Sequence, residues 1–513
     1  MTETLPTREL HADAFCVTQW QLSAASVETQ APKNRPRGEK PGWHIAPLNL
    51  MRKGPPVEIS AQHVWLLISA AMVLLMTPGL GLFYGGMTRA KAALNMIMMS
   101  FISAGIVGVV WVLWGYSMTT GDGFLGIFGN PFTNFGLQNL MGSPDLIKAG
   151  YSATFAIITV ALISGAIADR AKFSAWAVFV PVWITLIYCP LAYMIWGGGL
   201  MSAGGAVTAI FGQVIDFAGG AVVEISSGTA ALVLAVIVGQ RHGFAKDPNH
   251  RPHNLPFIML GAALLWFGWF GFNGGAASSA EQAGLIWINT LVTPAAAMLS
   301  WLVTEKIRHG HPTSLGAASG VVAGLVAITP SCANISPVAA IGLGLVAGAA
   351  CAIFVDLKYR FGLDDSLDVV GVHLGAGLIG TLALGFIALP ADGQGGGLFY
   401  GGGVQQLIAQ TAAVVITLLV SGLGTLVIGR AINKTIGFRV SHEAETAGVD
   451  LSEHAESAYA FNEVGAGFNP LRAVFGHIPA SGQSAGRQAA EGSDRQVSDT
   501  PGSDRQAKED TFA

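Results

Sequence analysis

Long uncharged, apolar runs separated by short charged loops extend from Val64 to about residue 432. A helix needs about 20 mostly apolar residues to cross a bilayer. Charged residues are only 11% of the 513 residues, whereas soluble domains usually contain roughly 25%. Such a chain cannot cover most of its surface with side chains that face water. We therefore expect an all-α membrane protein in which one helix bundle uses the whole apolar region.

The apolar runs predict eleven transmembrane helices. Glycines after Trp196 end the fourth, and the segment from Thr329 to Pro337 separates the eighth from the ninth, because glycine and proline interrupt helices. The predicted spans are residues 64–86, 93–118, 150–168, 174–195, 217–239, 255–273, 285–304, 314–329, 337–357, 369–390 and 405–432.

Lysine and arginine lie almost entirely on one side of this predicted bundle. The loops after helices 1, 3, 5, 7 and 9 and the segment after helix 11 hold 14 of them, whereas the other five loops hold only Lys148. Cytoplasmic loops of membrane proteins carry the excess of these residues. We therefore predict a multi-pass protein of the inner (plasma) membrane, with its N-terminus outside and its C-terminus inside.

The two ends of the chain differ from the apolar region in composition. Residues 1–56 are polar, basic and rich in proline, and Met51 begins a fresh stretch, so we expect a disordered extension or a mis-assigned start there. The membrane domain is predicted to cover residues 57–432. Residues 433–460 are predicted to form a cytoplasmic regulatory segment, and the polar residues 461–513 a disordered tail.

Two ionisable side chains lie well inside predicted spans, Glu224 in helix 5 and His373 in helix 10. Such groups are costly in hydrocarbon and mark functional sites. Each follows an aspartate, Asp216 or Asp365, by eight residues, which is about 12 Å of helix. Because helices 5 and 10 run in opposite directions, this spacing predicts an inverted repeat in which helices 6–10 mirror helices 1–5 and an eleventh is added.

The inverted repeat would bring Glu224 and His373 together near the middle of the membrane as a proton-exchanging pair. The alternative is an ordinary hydrogen bond or salt bridge between helices, but no lysine or arginine lies well inside a predicted span to pair with Glu224. Asp216, Asp365 and Asp368 are expected to cap helix N-termini, where carboxylates accept from free N–H groups. Asp216 is also a candidate for stabilising a cation indirectly.

Aromatic residues lie at the predicted outer ends of several helices. Phe155 is near the end of helix 3, Trp196 ends helix 4, and Phe272 is near the end of helix 6. Aromatic belts at membrane interfaces are common. A cluster around one vestibule would instead hold a desolvated cation against the faces of the rings.

Six short segments are specific in combination, and in them the chain resembles the Amt/MEP/Rh ammonium transporter family. The likeness extends from about Val64 to Tyr459 and is closest to bacterial Amt-type members. The segments are Phe83-Tyr84-Gly85-Gly86-Met87, Trp196-Gly-Gly-Gly199, Asp216-Phe-Ala-Gly-Gly220, His253-Asn-Leu-Pro256, Gly268-Trp-Phe-Gly-Phe-Asn273 and Asp368-Val-Val-Gly-Val-His373.

The resemblance implies a homotrimer with one narrow apolar pore in each subunit, and ammonium, with methylammonium as its analogue, as the transported species. An outer cation site is implied at Trp196 and Phe155, with Asp216 buried beneath it. The stacked rings of Phe155 and Phe272 would gate the pore. A PII-type signal protein is the implied partner at the cytoplasmic face. The resemblance implies no enzymatic activity, cofactor, metal or nucleic acid.

The sequence departs from the family pattern at two positions. Family members typically have two histidines in the pore, but the first position here is Glu224, as in one branch of fungal members and some bacterial ones. Many members have a serine hydroxyl where this chain has Ala276, so one acceptor for bound ammonium is missing. The resemblance therefore implies a Glu–His variant of the pore pair.

Potassium and ammonium ions are about the same size, so a simple hole cannot separate them. Ammonium can give up a proton before it enters an apolar pore, where any bare charge is costly. We therefore expect NH3 to cross the pore while Glu224 and His373 relay the proton. Two alternatives remain open, an ammonium sensor and a weakly selective channel that passes the cation intact.

Overall fold

A computed structural model describes residues 57–248, 250–391 and 396–459. Ten of the described helices are long and apolar enough to cross a membrane, and a further apolar helix, Ser314–Ile328, is shorter. The all-α membrane class is confirmed. The helices are α1 (Ala61–Met87), α2 (Ala93–Thr120), α3 (Asp145–Ile167), α4 (Phe173–Trp196), α5 (Gly220–Val238), α6 (Leu255–Gly274), α7 (Ala280–His309), α8 (Ser314–Ile328), α9 (Pro337–Phe361), α10 (Val370–Ile387) and α11 (Gln405–Thr435).

Polar caps move several helix ends away from the boundaries of the apolar runs. Helix α7 begins at Ala280 instead of residue 285, because the Ser279 hydroxyl accepts from the N–H of Gln282. Helix α1 begins at Ala61 because Ser60 caps it in the same way, with His63 as the reciprocal partner. A hydropathy pattern reports where side chains meet lipid, whereas caps decide where the backbone leaves the helix.

Four of the helices in the described part of the chain contain a widened π turn. These turns are Trp111–Gly115 in α2, Ile184–Tyr188 in α4, Gly220–Ile225 in α5 and Val370–Leu374 in α10. Such turns are rare and occur frequently at functional sites. The turns in α5 and α10 occupy matching positions in the two halves of the bundle, since each begins its helix a few residues after a buried aspartate.

Glycine allows the first helices of the two halves to approach closely. Helix α1 packs along α6, and a Cβ atom added at Gly261 would lie 2.4 Å from the backbone nitrogen of Phe83. Small residues at helix contacts are the usual means of tight packing in lipid. The high glycine content of the chain, 67 residues, therefore has a direct packing role at this contact.

Irregular structure is concentrated in the connections between the spans. A two-stranded antiparallel hairpin, β1 (Gly123–Phe124) with β2 (Phe128–Gly129), lies between α2 and α3. The remaining short elements of the described residues are helical: Phe135–Leu140, Ala206–Phe211, Leu398–Tyr400, His442–Ala447 and Val449–His454.

Buried ion pairs connect the loops that carry most of the basic residues. Arg241, after α5, pairs with Asp169 at 3.4 Å and with Asp364 at 2.8 Å. Arg89 reaches Asp169 at 3.3 Å, and Arg170 lies 3.8 Å from Asp364. These contacts link four loops on one face. Removing one partner of such a group would leave a buried charge uncompensated.

The segment after α11 packs against the same face of the bundle. Asp450 accepts from the backbone N–H groups of Leu94 and Asn95 at 3.1 and 2.7 Å, and Glu453 accepts from that of Phe173 at 2.9 Å. Neither α2 nor α4 has a side-chain cap from its own N-cap residue. Two carboxylates from a distant segment therefore cap these helices. Residues 1–56 and 460–513 lie outside the described residues, so the predictions for them stay predictions.

Candidate functional site

A cavity of about 480 Å³ opens at the predicted outer side of the bundle. We call it the outer cavity; its lining includes Phe155, Tyr188, Trp196, Phe217 and Ala276. The Phe155 and Trp196 rings meet at right angles with centroids 6.3 Å apart. The Trp196 indole N–H donates to the backbone oxygen of Asp216 at 2.8 Å, which fixes the indole ring. Such aromatic walls attract a cation that has lost part of its water.

Two stacked rings close the inner end of this cavity. The centroids of Phe155 and Phe272 are 4.2 Å apart, and their planes differ by 19°. The Tyr151 hydroxyl donates to the backbone oxygen of Phe272 at 2.8 Å and holds that end of α6 against α3. Phe155 lines the outer cavity and Phe272 lines the next one. The stack therefore separates the two spaces.

The space beyond the stack is small and apolar, and it contains the two ionisable pore residues. Its volume is about 10 Å³, near the lower limit of roughly 10–15 Å³ for holding one water molecule. Glu224 and His373 line it together with Phe272, Val223 and Trp269. A hydrated ion does not fit here, because its water shell would have to be removed.

Glu224 and His373 form a direct hydrogen bond in this space. Oε2 of Glu224 lies 2.7 Å from Nδ1 of His373, and the two residues are 0% and 3% exposed. Oε1 of Glu224 has no hydrogen-bond partner among the described residues. The carboxylate therefore orients the imidazole through one oxygen and keeps the other available for a proton.

Asp216 lies beneath the outer cavity and caps α5. Its Oδ2 accepts from the N–H groups of Ala221 and Val222, both at 3.1 Å. Its Oδ1 has no hydrogen-bond partner in the described part of the chain. Burial raises the pKa of Asp216 to about 6, although hydrogen bonds from the helix N–H groups act in the opposite direction. Asp216 is not among the described residues that line the outer cavity, and it is linked to that cavity by the hydrogen bond that its backbone oxygen accepts from Trp196.

The two aspartates before α10 make different contacts, although the sequence predicted that both cap the helix. Asp365 accepts from Val369 and Val370 at 3.1 and 2.8 Å and caps the helix. The prediction that Asp368 also caps α10 is wrong, because its carboxylate pairs with Lys358. A backbone φ of 63° at Asp368 marks the tight turn by which the chain enters the helix.

Sequence reasoning missed several polar aromatic residues of the site. Tyr151 donates to the backbone of Phe272 in the ring stack, Tyr188 lines the outer cavity, and Trp269 donates from its indole nitrogen to the Thr329 hydroxyl at 2.9 Å. Each lies within an apolar run, where tyrosine and tryptophan pass as hydrophobic residues. A polar group in a span was the available signal, since buried Tyr and Trp usually find a hydrogen-bond partner.

Comparisons with known proteins agree with this geometry. Residues 64–459 match the model of the Ammonium Transporter Family. An ammonium transporter of Mycobacterium tuberculosis is 48% identical over 428 residues, which covers 77% of this chain and 90% of the relative. Ammonium transporter Amt1 of Archaeoglobus fulgidus is 43% identical over 397 residues, covering 77% and 98%. The crystal structure of Candida albicans Mep2 is similar with a TM-score of 0.70 at 29% identity, covering 78% of this chain and 93% of that chain.

Proposed function

The chain belongs to the ammonium transporter family and transports ammonium, and we propose that it recruits NH4+ in the outer cavity, removes a proton and conducts NH3. In this proposal Glu224 and His373 relay the proton. The observation that carries the proposal is their 2.7 Å contact inside an apolar constriction.

Recruitment is the first step of the proposed mechanism. Phe155 and Trp196 offer aromatic surfaces to a cation in the outer cavity. The Asp216 carboxyl beneath them supplies negative charge without contacting the ion. Cation–π attraction in a partly desolvated site contributes about 2 kcal/mol or more. NH4+ and K+ are both attracted at this stage, so discrimination has to occur deeper in the pore.

Deprotonation is the step that separates NH4+ from K+. The stacked rings of Phe155 and Phe272 lead into a space too small for a hydrated ion. Moving an isolated charge into such surroundings is costly, so a group that can release a proton becomes neutral instead. NH4+ can lose a proton and continue as NH3, whereas K+ has no such option and is excluded.

The proton then passes to the pair on the far side of the stack. Glu224 has a carboxylate oxygen without a partner among the described residues, and its other oxygen meets the imidazole of His373. A carboxylate and an imidazole in direct contact can exchange a proton. We infer that transport moves net charge, because the proton follows NH3 through the same subunit.

Membrane placement and assembly belong to the same proposal. The protein lies in the plasma membrane with its N-terminus outside, because the basic loops lie on the other side. It forms a homotrimer, and a PII-type signal protein binds at the cytoplasmic face. These assignments rest on the family membership and on the charge distribution. Crosslinking in native membranes tests the trimer, and co-purification with a PII-type protein tests the partner.

Electrical recording on liposomes tests the relay. Glu224→Gln keeps the shape of the side chain but removes the acid group, so the ammonium-evoked current should fall by about tenfold or more. Glu281→Gln makes the same change at an exposed position and should leave the current unchanged. Uptake of 15N-ammonium is recorded in parallel. An unchanged current in Glu224→Gln would remove Glu224 from the relay.

A further inference from the structure

The Tyr188 hydroxyl in the outer cavity differs in its bonding from four other hydroxyls of the lining. These four side chains donate their hydroxyl hydrogens to backbone carbonyls, so the hydrogens are already used within the fold. The four residues are Thr119 and Thr120, both to Tyr116, Ser152 to Lys148, and Tyr151 to Phe272. The Tyr188 hydroxyl forms no hydrogen bond with any described residue.

Tyr188 is nevertheless almost fully buried. It is 1% exposed, and it lines the outer cavity beside Trp196 and Phe155. The Tyr188 hydroxyl oxygen has no partner among the described residues, but it is not fully enclosed. The small exposed part of this residue therefore includes the hydroxyl. A buried hydroxyl without a hydrogen bond is costly unless the molecule that enters the cavity supplies one.

The backbone holds Tyr188 in this position. Tyr188 is the last residue of the π turn Ile184–Tyr188 in α4. Its ring packs against Trp111, the first residue of the π turn in α2, with centroids 6.2 Å apart. The other two π turns carry Glu224 and His373. Every π turn in the described residues therefore carries a residue that lines one of the two cavities of the pathway.

A bound ammonium ion needs such a hydroxyl. Aromatic rings attract its charge, but its N–H groups also need acceptors once water is lost, since an unsatisfied donor in a buried site is costly. Ala276 lines the same cavity and offers no oxygen. Asp145 also lines the cavity, but it is exposed and accepts from Ser143, so it meets the ion while the ion is still hydrated.

We propose that the Tyr188 hydroxyl is the hydrogen-bond acceptor that positions NH4+ in the outer cavity, in place of the hydroxyl that Ala276 lacks. This inference rests on the proposed use of the outer cavity for NH4+, and it does not depend on the relay. The hydroxyl oxygen accepts from an ammonium N–H, and its hydrogen turns towards water in the cavity. Tyr188 is thus an affinity-determining residue in this chain.

The test measures ammonium-evoked current against ammonium concentration in proteoliposomes. Tyr188→Phe removes only the oxygen, so the half-saturating concentration should rise about tenfold, the loss expected for one hydrogen bond to a charged group. The maximal current should stay the same. Tyr400→Phe removes a hydroxyl from an exposed residue outside the cavity lining and should change neither value.

Ala276→Ser separates an acceptor role from a structural one. In the Tyr188→Phe background, a serine at 276 should restore most of the lost affinity, because it returns an oxygen to the cavity. In the unsubstituted chain the same change should lower the half-saturating concentration less than twofold. The Ala276→Ser variant of the unsubstituted chain needs no change at Tyr188. It therefore still tests the inference if Tyr188→Phe fails to assemble.

Two results would overturn the inference. One is an unchanged half-saturating concentration in Tyr188→Phe. The other is a large gain in affinity from Ala276→Ser alone, which would mean that no acceptor is present in the native cavity. Either result leaves the relay untouched, since the Glu224→Gln current tests the relay separately. An unchanged current in Glu224→Gln would contradict the relay, but the affinity shift of Tyr188→Phe could still be measured.

Discussion

Oε2 of Glu224 lies 2.7 Å from Nδ1 of His373, although 149 positions separate the two residues in the chain. Asp216 caps the start of α5 and Asp365 caps the start of α10, each eight residues before its pore residue. The same local construction, used twice, therefore delivers an acid and a base to one point. Because the two groups differ chemically, the two directions of proton transfer in the proposed relay would not be equivalent.

The charge of Asp216 should make the proposed recruitment of ammonium depend on pH. Burial raises its pKa to about 6, so the carboxyl is ionised above this pH and neutral below it. The attraction that it exerts is present above about pH 6 and is lost as the outside pH falls through that value. We expect the half-saturating ammonium concentration, measured from currents, to rise over this range.

Asp216→Asn should abolish this dependence, because the amide does not titrate. At every pH, the half-saturating ammonium concentration of this variant should resemble that of the native protein at low pH. Asp122→Asn, an exposed change between α2 and α3, is the matched control and should behave as the native protein. A variant at 216 that keeps the native pH profile would contradict the assignment.

The stacked gate should control discrimination against K+. Phe272→Ala removes one of two rings that are 4.2 Å apart and widens the constriction, so water and partly hydrated ions can enter. The ratio of K+-evoked to ammonium-evoked current should rise severalfold. Phe267→Ala, on the same helix but 53% exposed, should leave the ratio unchanged. Equal ratios in the two variants would show that the stack does not discriminate.

The buried ion pairs should dominate the stability of the basic face. Asp364→Asn removes the paired carboxylate of Arg170 and one of the two carboxylates that pair with Arg241 in a buried site, which costs about 3–5 kcal/mol. The thermal unfolding temperature of the solubilised protein should fall by many degrees. Asp356→Asn breaks a pair whose side chains are 35% and 32% exposed, so its effect should be small. A similar fall in both variants would argue against a special role for the buried group.

Asp450 should hold the segment after α11 in place. Asp450→Ala removes the cap from the N–H groups of Leu94 and Asn95, a loss of about 1 kcal/mol for the helix start. Limited proteolysis should then cleave residues 441–459 several times faster. Glu456→Ala removes the same charge at an exposed position of the same segment. Equal cleavage rates in the two variants would show that the cap does not retain the segment.

The class of the fold, the approximate spans and the contact between Glu224 and His373 could be predicted from the sequence. Hydropathy and the distribution of arginine and lysine report directly which segments avoid water. The ionisable residues Glu224 and His373 stood out because the surrounding runs contain no other charge. The equal spacing from Asp216 and Asp365 supplied the two-fold relationship. These signals are local in the chain or repeat within it.

Other features depend on contacts that a one-dimensional pattern does not contain. The role of Asp368 was mistaken because Lys358, its partner, lies just beyond the predicted end of the ninth span. Tyr188 was overlooked because its importance comes from the absence of a hydrogen bond with the described residues. The π turns have no distinctive composition, since they reflect packing between helices. Tertiary contacts therefore decided each of these points.

The π turns imply that residue spacing, as well as residue identity, is under strict constraint in these helices. Each residue of an α-helix turns its side chain by about 100° from that of its neighbour. Loss of a single codon for Val222 or Val223, inside the turn Gly220–Ile225, would pull the chain towards regular α geometry and rotate Glu224 away from the imidazole. Apolar substitutions at these positions would be tolerated far better than deletions.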